Sequence, residues 1–182
     1  MLTSKFIGGP HSAFLCEWSY NVAIMYSLGY AVLLVNFRGS SGYGQDNVDC
    51  LLTDIGTQDV KDCQQAAEFC KTRFNFKKIF LNGGSHGGYL SCHLIGQYPD
   101  YYKAAAVRNP VTQLEGMRAT DIPDWVFTEV FGITDDFNYK YAGDKETYEE
   151  LIKKSPIRYI DSVKTPILFL LGGSDQRFDS FN

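Results

Sequence analysis

Apolar positions along this chain fall into short dense runs separated by longer stretches in which they recur every three or four residues. Ala31 to Phe37 is β-branched and apolar, bounded by Gly29 before it and Gly39 after. Lys78 to Leu81 is a second run, ending in Gly83 and Gly84, and Ala104 to Val107 and Ile167 to Leu171 are two more. Runs with so little polar alternation predict strands covered on both faces, as in a parallel sheet. Between them Val60, Cys63, Ala67, Cys70 and Phe74 share one helical face, with Asp59 and Asp62 at the amino-terminal end, where negative charge favours the helix dipole. That spacing predicts a helix about 15 residues long crossing over between the first two strands. Ser12 to Leu28 predicts another, stopped by Gly29, with Phe14, Trp18, Val22, Met25 and Tyr26 turned toward the core. His86 to Gln97 predicts a third, ended by Pro99. Strands alternating with helices of this length imply right-handed crossovers and a doubly wound, mostly parallel α/β sheet flanked by helices.

Composition fits one globular domain. The 182 residues are 45% hydrophobic and 21% charged, which supplies a core and excludes disorder. The net charge of −4 is scattered, without a basic stripe, so neither nucleic acid nor a membrane surface is expected as a partner. No apolar run approaches the roughly 18 residues of a membrane span. Five cysteines make an odd count, and no Asn-x-Ser/Thr acceptor occurs, which points to a reducing, cytoplasmic setting. Cys63 and Cys70 read as free thiols on a helix face; they have neither the spacing nor the histidine neighbours of a metal site, and no metal or cofactor is expected.

The chemistry concentrates in Phe80-Leu-Asn-Gly-Gly-Ser-His-Gly-Gly-Tyr89, where Ser85 occupies a G-x-S-x-G pattern between a predicted strand and a predicted helix. Such an elbow holds the serine in a strained conformation, while the glycines let strand and helix approach closely. The hydroxyl then stands clear of the sheet, and the N–H of His86 points from a helix start toward any oxyanion formed there. Two look-alikes drop out. Gly39-Ser-Ser-Gly-Tyr-Gly44 has the spacing of a phosphate loop, but Gln45 and Asp46 stand where Lys and Ser/Thr are required, so it reads as a turn. Ser85 also occupies the second glycine position of a G-x-G-x-x-G, which removes nicotinamide and flavin binding. A serine nucleophile needs an orienting acid and a base, in chain order Ser, Asp or Glu, His. Asp175, just past the last apolar run, is the preferred acid, with Asp179 second. All three histidines, His11, His86 and His93, precede Asp175, and none is a convincing base: His86 leaves the elbow in a different direction from Ser85, and His93 lies roughly 12 Å further along the helix. His11 follows a Gly-Gly-Pro turn and reads as a pocket residue.

Beyond the elbow, a series of blocks resembles the catalytic domain of the acylaminoacyl peptidases (acyl-peptide hydrolases), within the prolyl oligopeptidase group of serine peptidases. In order these are Gly8-Gly-Pro-His11, Val32 to Gln45, Gln58-Asp-Val-Lys-Asp62, Gly83-Gly-Ser-His-Gly-Gly88, Ser91 to Pro99, Ile122-Pro-Asp-Trp125 and Lys154-Ser-Pro-Ile-Arg-Tyr-Ile160. The resemblance implies an α/β-hydrolase fold and release of an N-acylated amino acid from blocked peptides through a serine acyl-enzyme. By the same resemblance Ser85 is the nucleophile, Asp175 the triad acid, and the backbone N–H groups of Gly9 and His86 the oxyanion hole. Thr120 to Phe131 and Asp135 to Lys154 are expected as a helical excursion over the site, where Trp125 and Phe127 line a substrate pocket or pack in the core.

Residues 1–182 are thus expected to be one partial hydrolase domain, truncated at both ends and without the family's propeller. Ile7 stands where the family has His, and the family's catalytic His lies beyond the last residue. The expected partners are an N-acylated peptide or a small ester. The alternatives are a carboxylesterase using the same elbow and a non-catalytic fragment serving as a binding module.

Overall fold

A computed structural model describes residues 1–6, 9–119, 123–132 and 145–175. Five strands form one parallel sheet: β1 (Leu2–Phe6), β2 (Ala31–Leu34), β3 (Ile79–Gly84), β4 (Ala104–Arg108) and β5 (Ile167–Leu170), in spatial order β2-β1-β3-β4-β5. The chain runs outward from β1 to β2, returns past β1 to β3, and continues through β4 to β5. The winding direction therefore reverses between β1 and β3, the place where open α/β sheets gather ligands at the carboxyl ends of their strands.

Strand alternation assigns the two faces. Leu2, Ile79, Leu81 and Ala105 point into a core completed by Val60, Cys63 and Ala67 of α3 (Gln58–Arg73) and Leu90 and Leu94 of α4 (His86–Gln97). The opposite face carries Thr3, Lys5, Asn82 and Arg108 beneath α1 (Tyr20–Ser27). The remaining described helices are the short α2 (Gln45–Asp49), α5 (Pro123–Phe131) and α6 (Lys145–Lys154), with 3-10 turns at Gly116–Ala119 and Pro156–Ser162. At the outer strand, Leu168, Phe169 and Leu170 are all exposed. Among the described residues no helix is long and apolar enough to cross a membrane.

The four strands read from the sequence occur with ends moved by a few residues, and α4 has the expected bounds. Two expectations are corrected. The helix over Ser12 to Leu28 forms only from Tyr20, because the amide side chain of Asn36 takes up the backbone of Phe14: it accepts from Phe14 N at 2.8 Å and donates to Phe14 O at 3.1 Å. Nor does that apolar face enter the core as a whole: Phe14 packs against the core, but no residue of Tyr20–Ser27 is buried and Trp18 and Tyr26 are 77% and 78% exposed. β1 is an addition. Its polar Thr3 and Lys5 interrupt the apolar run that marks the other strands, yet it lies second in the sheet, flanked by β2 and β3.

Candidate active site

The turn from β3 into α4 is built by glycine contact. A Cβ on Gly83 would lie 2.1 Å from the carbonyl oxygen of Gly87, and one on Gly88 would lie 2.6 Å from Cβ of Pro110. These are backbone and ring atoms that cannot move aside, so the two glycines permit the helix to start directly over the strand end. Ser85 sits between them at φ 54°, ψ −122°, outside even the left-handed helical well. A non-glycine residue so held costs about 1–3 kcal/mol and persists only where its surroundings fix it. Here they do: Ser85 N donates to Arg108 O on β4 and Tyr89 N donates to Ser85 O, each at 3.0 Å.

Two further strand ends meet this edge. Phe6 is registered against Gly83, so β1 ends beside the elbow, ahead of the turn at Gly9 and Pro10. In that turn Gly9 O accepts from Ser12 Oγ at 3.0 Å. On the other side, Asn109 follows β4 with φ 42° and reaches across to the loop after β5. Its Oδ1 accepts from Gly172 N at 3.3 Å and its Nδ2 donates to Oδ2 of Asp175, while Asp175 N closes a turn onto Gly172 O. The half-buried Asp175 carboxylate is therefore held two strand positions from the elbow strand. Sequence reasoning overlooked Asn109; the signal available was an Asn-Pro pair directly after a strand.

The histidines differ sharply. His86 is buried with its ring stacked on Tyr89 at 5.2 Å and near Phe37, and its Nε2 lies 3.4 Å from Oδ2 of Asp59. Its side chain thus runs into the core, leaving only the backbone N–H at the helix start, where no intrahelical acceptor exists. His93 is buried as well; Nε2 donates to Lys154 O and Nδ1 accepts from Gln97, both at 3.0 Å, which fixes a neutral ring. Burial holds its pKa down to about 4. His11 joins Gly39 O at 3.1 Å and Oε1 of buried Glu129 at 2.5 Å. Trp125, half-buried, meets the His86 ring edge-on at 6.4 Å. Phe127 is 1% exposed and stacks on Phe131. Ile7, Gly8 and Asp179 lie outside the described residues, as do parts of the two segments expected to cover the site.

Asp59, read from sequence as a helix-end charge, is fully buried and accepts from Gly56 N and Val60 N at 2.9 Å. Asp62 instead binds the backbone N and guanidinium of Arg38. The thiols of Cys63 and Cys92 are buried, with burial pushing Cys92 up to about 12; Cys16 and Cys50 are exposed. Among the described residues no group of three or more metal-ligating side chains occurs.

Residues 16–180 match the sequence pattern of the prolyl oligopeptidase family. The chain belongs to that family. Within this prolyl oligopeptidase group it is 48% identical over 174 residues to the acylamino-acid-releasing enzyme of Mus musculus, covering 93% of this chain and 23% of that enzyme. Its backbone resembles the Pyrococcus horikoshii acylaminoacyl peptidase with a TM-score of 0.84 at 27% identity, over 98% of this chain and 28% of the other. It is equally like an acylaminoacyl peptidase in complex with Z-Gly-Gly-Phe-chloromethyl ketone, with a TM-score of 0.83 at 28% identity over the same shares. The mostly parallel sheet is thus the α/β-hydrolase fold, and the chain spans about a quarter of the length of the relatives it matches.

Proposed function

We propose that this chain carries the nucleophile, oxyanion and acid part of a serine peptidase that releases N-acylated amino acids from blocked peptides. The observation that carries the reading is Ser85 itself, a non-glycine residue at φ 54° immediately before α4, at the reversal point of the sheet. Its Oγ attacks the scissile carbonyl carbon, a base removes the hydroxyl proton, and the carbonyl oxygen gathers charge against the N–H groups of Gly9 and His86. Collapse breaks the C–N bond, the leaving amine takes the proton, and water later hydrolyses the acyl-enzyme. Asp175, steadied by Asn109, is the acid that would orient the base. His11 and Trp125 stand as pocket residues, and Phe127 is the third candidate on the same helix as Trp125. The names carried by the relatives support N-acylated peptides as the substrate class. The five free thiols support a cytoplasmic setting.

No histidine of the 182 residues serves as the base in this reading, since His86 and His93 are buried and His11 is tied to Glu129. Loss of the base costs on the order of 10⁶ in turnover, leaving the modest rate that an oxyanion hole and binding provide. The experiment compares hydrolysis of an acetyl-amino-acid nitroanilide by the chain alone, by the chain extended with the corresponding carboxyl-terminal segment of the Mus musculus relative, and by Ser85→Ala forms of both. The extended protein should turn over substrate and react with a fluorophosphonate only at Ser85. Absence of label on Ser85 there overturns the nucleophile, and robust Ser85-dependent hydrolysis by the chain alone overturns the missing base.

A further inference from the structure

Beneath the elbow lies a pair of buried polar side chains that the proposed chemistry does not use. Asp59 and His86 are 0% and 2% exposed. Oδ1 of Asp59 is satisfied by two backbone N–H groups, whereas Oδ2 faces His86 Nε2 at 3.4 Å, and neither that oxygen nor either imidazole nitrogen has a hydrogen-bond partner among the described residues. Around the ring stand Phe37, Tyr89 and Trp125, with centroids 5.7, 5.2 and 6.4 Å from that of His86. A carboxylate oxygen removed from water in this way is costly unless it is paired, and the imidazole is the polar group in front of it.

We infer that Asp59 and His86 are positioning residues, a carboxylate–imidazole pair that sets the direction of the His86 backbone N–H. The inference rests on the reading of Ser85 as nucleophile and of that N–H as an oxyanion donor. His86 is the first residue of α4 and shares its peptide plane with Ser85. Its side chain reaches back to the start of α3, so Asp59 fixes Cα of His86 from below while the Ser85–Arg108 hydrogen bond fixes the same peptide unit's neighbour from the side. An N–H aimed by two such ties needs no rearrangement when negative charge develops, and displacement by even an ångström costs on the order of 10²-fold in rate.

The test has a spectroscopic and a kinetic arm. In the 182-residue protein with ¹⁵N-labelled histidine, His86 should show a proton on Nε2 and none on Nδ1, and Asp59→Asn should shift both that ring signal and the His86 backbone amide signal. Unchanged His86 signals overturn the pair. In the carboxyl-terminally extended protein, Asp59→Asn and His86→Gln should each lower kcat by about 10- to 100-fold with KM within twofold; a loss confined to KM, or to thermal stability alone, overturns the positioning role. Should Asp59→Asn not fold, His86→Phe keeps the aromatic contacts and removes the pair, and it must show the same kcat loss. Fluorophosphonate labelling of the parent protein separates the two readings. No label on Ser85 there removes the nucleophile reading, whereas normal labelling together with full kcat in the Asp59 variant removes this inference alone.

Discussion

His11 and Glu129 join two parts of the chain 118 residues apart: Nε2 of the imidazole lies 2.5 Å from Oε1 of the buried carboxylate, while Nδ1 meets the carbonyl of Gly39. The turn after β1 is thereby tied to α5, the helix that bears Trp125.

This contact has a pH signature. The hydrogen bond to Glu129, opposed by burial and helped by charge attraction, raises the His11 pKa above its ordinary 6.5. A group with a raised folded-state pKa contributes stability that is complete below the ordinary value and is lost as pH rises through the folded value. The melting temperature contribution of His11 should therefore fall on the alkaline side of 6.5, and His11→Gln should remove that part of the dependence. Thermal melts of both proteins across about pH 5 to 9 measure it; parallel curves would dismiss the tie.

His93 titrates in the opposite sense. Its folded-state pKa is about 4 against an ordinary 6.5, so the neutral ring favours the fold above 6.5, and stability drains as pH falls toward 4. A difference of that size corresponds to roughly 3 kcal/mol. Denaturant titrations at a series of pH values should show this acid loss in the parent protein and its absence in a folded His93→Gln variant.

Backbone contact at the elbow predicts a sharp contrast between two glycines. Gly83→Ala drives a methyl group against Gly87 O at 2.1 Å and should cost at least about 1–3 kcal/mol along with the serine's reactivity. Gly173→Ala, with no atom within 4 Å of the added Cβ, should change stability by less than about 0.5 kcal/mol. Urea midpoints of the two variants decide the matter.

Asp175→Asn tests the acid. In the carboxyl-terminally extended protein this change should leave the melting temperature near that of the parent and lower kcat by about 10⁴, because an amide favours the wrong imidazole tautomer. Parent-like rates would make Asp175 a turn residue held by Asn109 and nothing more.

The elbow was legible in the sequence because everything it requires is local: glycines at fixed offsets, an apolar strand before, a helical period after. The same holds for α3 and α4, whose apolar positions recur at three and four. What escaped depended on partners distant in the chain. The first turns expected of α1 gave way to Asn36, a residue on another loop, and β1 was hidden because Thr3, Ser4 and Lys5 in succession break its apolar run, although Thr3 and Ser4 are buried. That His86 turns into the core follows only once Asp59 is known to lie beneath it.

The position of β1 also sets an order of events. Leu2 pairs with Ala31 on one side and Ile79 on the other, so β1 cannot be enclosed until the chain has grown through β3. Closing so long a loop precedes any gain from the contacts it makes, which slows folding relative to chains built from neighbouring pairs. Until then the strand's main-chain groups are open to other chains. A polar Thr and Lys in this waiting segment make it a poorer template for aggregation than the uninterrupted Ile167 to Leu170, whose partner β4 is already finished when it emerges.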